Sequence, residues 1–206
     1  TEIPMVSSVG DPMSGTFEGS TDLDALGWNV RFPSYSEVPG TATVDTSGSH
    51  NYTQLISATN SVKVWLQDAR NRCASGQSSG VQLRSKRIQA TEAGTYGVRA
   101  YLKTQATTAD DLPMMYLVIY DSGVYQQIGL NLTNHAVMPT NQEWVELTAS
   151  TSFSQISTGL QIQIDVFALP SDCGQGAGSN ADAPIYLDDI TLFRINDKPE
   201  YFDASL

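Results

Sequence analysis

The stretch Ala183-Pro184-Ile185-Tyr186-Leu187-Asp188-Asp189-Ile190-Thr191-Leu192-Phe193 decides how the rest of the chain is read. Its β-branched and aromatic residues mark a buried strand, yet two adjacent carboxylates sit inside it. Successive strand residues point to opposite faces, so Asp188 and Asp189 cannot both face solvent if one face is core. An ionised carboxylate taken out of water is costly unless it is paired or metal-bound. No Lys or Arg follows the pair before Arg194. A calcium ion is the expected partner, completed from elsewhere in the chain, where Gly15-Thr16-Phe17-Glu18 offers a further acid.

Similar strand-like runs recur upstream, at 28–32, 61–67, 81–89, 95–104, 114–120, 126–132, 144–149 and 160–168, separated by Gly, Pro, Asn and Asp clusters. Short strands between such turn signals predict an all-β sandwich or barrel, and no helical period is sustained. At 206 residues the chain suits one domain, predicted over 14–195. Residues 1–13 hold two prolines and no periodicity, and read as an arm or linker, as do residues 196–206.

Three runs alternate clearly enough to assign faces. Val62, Val64 and Leu66 oppose Lys63, Trp65 and Gln67. Tyr96, Val98, Ala100 and Leu102 oppose Arg99, Tyr101 and Lys103. Ile162, Ile164 and Val166 oppose Gln161, Gln163, Asp165 and Phe167. The run 114–120 is ambiguous, with Met115, Leu117 and Ile119 opposing Tyr116, Val118 and Tyr120. The faces turned from the core mix aromatic rings with amide, carboxylate and guanidinium groups. That mixture suits sugars, whose apolar C–H face stacks on a ring while their hydroxyls take planar hydrogen-bonding partners. Trp65, Arg99, Tyr101, Tyr116, Tyr120, Gln161, Gln163 and Asp165 are the ligand-binding candidates, and one pleated surface is expected to carry them.

Net charge is −11, which disfavours nucleic acid and anionic membrane as partners. Eight of the eleven basic residues lie between Lys63 and Lys103, opposed there by Asp68 and Glu92 alone, so that segment carries +6 and the remainder −17. This keeps an anionic ligand in view. Cys73 and Cys173 lie in Ser/Gly-rich sequence that suits a disulfide in an exported protein, two free thiols being the other reading. Asn51-Tyr52-Thr53 and Asn131-Leu132-Thr133 fit the N-glycosylation pattern, which matters only in a eukaryotic secretory host.

Phe17-Glu18 followed by Gly27-Trp28, then Ser61-Val62-Lys63-Val64, Ala93-Gly94-Thr95-Tyr96, Trp144 and Leu187-Asp188-Asp189-Ile190 occur in an order that resembles carbohydrate-binding modules. The resemblance is to the group holding families four, nine, sixteen and twenty-two, and it covers roughly residues 15–195. It implies an all-β jelly-roll of two antiparallel sheets, with glycan on a concave face and a structural calcium away from it. It makes Glu18 a metal ligand, together with one of Asp188 and Asp189 and backbone near Thr16. Trp28 and Trp144 match packed core positions. The segments 67–80 and 171–182 are longer than the group's usual connections, so the resemblance does not transfer the sugar's identity.

Catalysis finds little support. A glycosidase needs two carboxyls facing across one sugar, and neighbouring strand residues cannot supply that pair. His50 and His135 lie in polar sequence with no evident orienting partner, so His50 reads as a surface residue. No Gly-x-Ser-x-Gly elbow and no zinc spacing are present. The expected function is a secreted, non-catalytic module that binds a neutral β-glycan or an anionic algal or uronate polymer, linked to a catalytic or cell-surface domain. The competing readings are a structural or adhesive domain of a surface or virion, and a small polysaccharide lyase.

Overall fold

Alternation of buried and outward side chains builds two sheets whose inner faces meet in one core. The computed structural model describes residues 1–7, 9–50, 58–68, 72, 75–104, 113–121, 128–130, 143–169 and 183–195. Among them are twelve strands: β1 (Glu2–Ile3), β2 (Trp28–Arg31), β3 (Val38–Pro39), β4 (Thr41–Asp45), β5 (Ser61–Trp65), β6 (Ser79–Ser85), β7 (Gly94–Thr104), β8 (Met114–Asp121), β9 (Ile128–Leu130), β10 (Val145–Phe153), β11 (Leu160–Ala168) and β12 (Ile185–Ile195).

The first sheet runs β10-β7-β12-β5-β4, with β1 on β12, and the second runs β2-β6-β11-β8-β9, with β3 on β6. All pairings are antiparallel except β3 with β6. The fold class expected from the sequence is the one found. Val62, Val64, Val98, Ala100, Leu102, Ile185, Leu187 and Leu192 of the first sheet meet Val81, Leu83, Met115, Leu117, Ile119, Ile162, Ile164 and Val166 of the second. Trp28 is fully buried at the start of β2, with its Nε1 donating to the Ser14 carbonyl at 2.7 Å.

Two expectations about the ends of elements change. The segment 1–13 is not a loose arm: Glu2 and Ile3 pair with Phe193 and Leu192, and Ser7 is buried and bridges to Ile88. The pairing ends at Pro4, which has no N–H to donate to a longer ladder. Asp188 and Asp189 do not diverge to opposite faces either. A β-bulge lies between Asp188 and Thr191, and Asp189 adopts φ 48°. Such a bulge re-aims side chains, and both carboxylates reach one histidine. Residues 196–206, Cys73, Cys173, His135 and both glycosylation patterns' asparagines lie outside the described residues.

Candidate functional site

The outer face of the second sheet holds the site. Because β6 buries Val81 and Leu83, Gln82 and Arg84 must point away from the core. On β11 the same rule turns Gln161, Gln163, Asp165 and Phe167 outward, and on β8 Tyr116, Val118 and Tyr120. Register sets Gln163 between Arg84 and Val118, Asp165 between Gln82 and Tyr116, and Gln161 beside Tyr120.

Beyond β2 the chain Phe32-Pro33-Ser34-Tyr35 folds back over this face. The Tyr35 ring meets Phe167 edge-on at 6.2 Å, and Phe167 stacks on Tyr116 at 5.2 Å. Gly80 permits the approach, since a Cβ there would come within 3.2 Å of Pro33 and Tyr35. Between loop and sheet lies a groove of about 370 Å³ lined by Arg31, Phe32, Tyr35, Gln82, Arg84, Val118, Tyr120 and Gln163, with Pro33 and Ser34 closing it. Phe32 and Tyr35 leave 57% and 42% of their surface exposed, so flat apolar area is available at the rim.

A chain of hydrogen bonds fixes the polar floor. Arg84 Nε donates to Gln163 Oε1 at 2.9 Å, and Gln163 Nε2 donates to Asp165 Oδ2 at 2.8 Å. The amide orientation is therefore set by its neighbours, and the guanidinium also lies over the Tyr120 ring, 5.7 Å from its centroid. Asp165 is buried, and burial raises its carboxyl pKa although Gln163, Arg84 and Gln82 oppose the shift. Burial, with Asp165 nearby, pushes the Tyr35 phenol up to about 12, so it remains a proton donor.

The eight sequence candidates do not share one surface. Tyr120 and Gln163 line the groove. Tyr116 and Asp165 lie on the same face beneath Tyr35 and Phe167, and Gln161 donates to the Ser85 carbonyl at 2.9 Å. Trp65, Arg99 and Tyr101 instead belong to β5 and β7, on the outer face of the opposite sheet. Alternation tells which side chains leave the core but not which sheet a strand joins. The basic residues divide likewise: Arg84 lies at the groove, Lys63, Arg99 and Lys103 on the opposite sheet, and Lys86 beside Asp24 at 3.3 Å.

On that opposite face Lys63 Nζ sits 4.8 Å from the Trp65 ring, and Lys103 Nζ lies 4.8 Å from Trp144 and 5.2 Å from Tyr186. Trp144, expected in the core, is therefore a half-buried partner of a lysine. Residues absent from the ligand candidates are Arg31, Phe32, Tyr35, Gln82 and Arg84, the last counted only within the basic segment. The Val81-Gln82-Leu83-Arg84 alternation carried a signal for Gln82. Loop residues have no such period.

The acidic pair finds its partner in His50, which is no surface residue of the ordinary kind. Its backbone N–H donates to Asp188 Oδ2 at 2.7 Å, and its Nδ1 lies 2.6 Å from Asp189 Oδ2. Its ring stacks on Tyr101 at 3.5 Å. Burial pushes the Asp188 carboxyl up to about 6. Glu18 Oε1 accepts the backbone N–H groups of Thr59 and Asn60 at 2.8 and 2.7 Å, while Thr16 is exposed and its hydroxyl bonds Ser14. Ile190 N–H donates to the Gly15 carbonyl, which sets the 15–18 segment against the bulge. Among the described residues no group of three or more His, Cys, Asp and Glu is placed to hold a metal. Glu18 Oε1 and Asp189 Oδ2 are oxygen atoms of the kind calcium takes, and here they are engaged by backbone N–H groups and by His50.

No family model and no curated protein sequence matches the chain. Solved structures do. The carbohydrate-binding module CBM27-1 of Caldicellulosiruptor saccharolyticus in complex with mannohexaose is 11% identical, with TM-score 0.51, over 90% of this chain and 98% of that one. The enzymatically active domain of tailspike protein 4 of bacteriophage CBA120 is 14% identical, with TM-score 0.56, over 94% of this chain but 22% of that one. TmCBM61 in complex with β-1,4-galactotriose is 16% identical, with TM-score 0.47, over 88% and 92%. At these identities the likeness is one of fold. The chain has the β-sandwich fold of carbohydrate-binding modules, as the sequence resemblance implied.

Proposed function

We propose that this chain is a non-catalytic carbohydrate-binding module that holds a polysaccharide in the groove between the loop 32–35 and strands β6, β11 and β8. One observation carries the reading: exposed rings at Phe32 and Tyr35 border a floor on which Arg84 and Gln163 are already locked in place. Rings supply stacking area, and pre-set donors spare the ordering entropy that flexible side chains would lose on binding. The fold shared with a module solved with mannohexaose supports the same reading. Glycosidase chemistry needs two carboxyls across one sugar, and none of the described lining residues is an acid.

In this reading the module works outside the cell, joined to a catalytic or surface domain, and a Cys73–Cys173 disulfide belongs to that setting. Retardation in gels cast with neutral and acidic polysaccharides tests binding. The intact chain should be slowed by at least one polymer, and migration unchanged across the whole panel would end the proposal.

Calcium enters as a structural ion held by Glu18, Asp189 and nearby carbonyls, where it would neutralise the charge of the two carboxylates. A ligand bound only to the folded state adds about 2.7 kcal/mol at a hundredfold excess over its Kd. Melting in calcium and again in chelator should therefore give separated transitions. Superimposed curves would remove the ion.

A further inference from the structure

We infer that the groove selects an acidic glycan, seating a sugar carboxylate on the guanidinium of Arg84, and this rests on the glycan-binding reading above. The chain is strongly acidic overall, at −11, yet its groove is cationic. Among the described lining residues, Arg31 and Arg84 carry charge and no carboxylate does. Asp165 lies beneath, buried and bonded to Gln163. Even counted as fully ionised, it leaves two cations against one anion on this face.

The hydrogen-bond accounting sharpens the sign. Gln163 spends its oxygen on Arg84 and its amide on Asp165. Arg84 spends Nε on Gln163, and neither of its terminal nitrogens donates to a described residue. What remains for a ligand is therefore rich in donors. A neutral sugar hydroxyl both donates and accepts, whereas a carboxylate only accepts and matches the planar guanidinium with two parallel bonds. Arg84 is also pre-oriented, through Gln163 from Asp165 below and through the Tyr120 ring beside it. A lysine there would present a mobile point charge with no such fork.

Arg31 adds a second charge at close range. Register pairs Asn29 with Arg84 and Arg31 with Gln82, so the two arginines sit diagonally on adjacent strands. Diagonal strand neighbours are about 7–8 Å apart, within reach of long side chains. Arg31 is exposed and forms no ion pair among the described residues. It would steer an acidic chain towards the groove and lengthen its stay there.

Titration calorimetry on the intact chain tests this, with oligogalacturonate and oligoalginate as probes. Each is compared with its carboxyl-reduced, neutral counterpart, and a sulfated galactan oligosaccharide forms a further arm. At least one uronate should bind. Carboxyl reduction should weaken it about tenfold or more, Arg84→Gln should reproduce that loss, and Arg31→Gln should give a smaller one. Unchanged melting temperatures would show that both variants fold. Affinity for the uronate should fall as salt rises. Equal binding of the neutral counterparts would overturn the inference while leaving the glycan-binding reading in place. Tighter binding of the sulfated arm than of either uronate would overturn the carboxylate assignment. No binding of any glycan, neutral or acidic, would remove both readings together.

Discussion

Trp28→Ala is expected to lower the free energy of unfolding by about 3–5 kcal/mol, the usual loss for a large aromatic deleted from a packed core. Trp28 has no exposed surface, and its ring lies 5.7 Å from that of Phe17, also fully buried. Alanine would leave a cavity that two sheets pinned by long ladders cannot collapse around. The indole also donates to the Ser14 carbonyl, so the variant would strand a backbone acceptor and loosen the segment that carries Glu18. The damage should reach the groove as well, because β2 leads directly into the loop 32–35. Urea unfolding measures it. A midpoint shift equivalent to less than about 1 kcal/mol would mean that Trp28 is not the anchor described.

Gln163→Leu should produce the second large effect, in both stability and binding. The side chain bridges a guanidinium and a buried carboxylate, and leucine would leave Asp165 Oδ2 without its donor. Removing the partner of a buried charged group costs about 1–3 kcal/mol or more. The cost should depend on pH, and its sign follows from the raised pKa of Asp165. A carboxyl whose folded pKa lies above its unfolded value contributes stability below the unfolded pKa and loses it as pH rises through the folded one. Gln163 opposes that loss by bonding the charged form. The variant's deficit should therefore be smallest below the ordinary carboxylate range and grow towards neutral pH. Arg84, no longer held, should also lose its grip on glycan. Parallel pH profiles for variant and wild type would show that Gln163 does not support Asp165.

The layout of the core was open to reading in advance because period-two alternation is a local property. Val62-Val64-Leu66 and Ile162-Ile164-Val166 point inward as expected. The strand β4 escaped notice since Thr-Ala-Thr-Val-Asp offers only small apolar side chains to the core. The run 114–120 looked ambiguous for a physical reason: Val118 and Tyr120, though turned outward, are covered at the groove and are 3% and 4% exposed. Which outward faces combine was hidden, because sheet membership depends on pairings distant in sequence. Trp65 and Tyr120 share a chemistry but stand on opposite sides of the molecule. The role of His50 was hidden too, since a bulge with one left-handed aspartate brings Asp188 and Asp189 to it from 138 and 139 residues away.

The most direct test of the account is a chemical-shift map of the labelled protein titrated with whichever polysaccharide fragment slows it in gels. Shifts should concentrate on Arg31, Tyr35, Gln82, Arg84, Tyr120 and Gln163. Shifts confined to Trp65, Tyr101, Lys103 and Trp144 would place the ligand on the other sheet and contradict it.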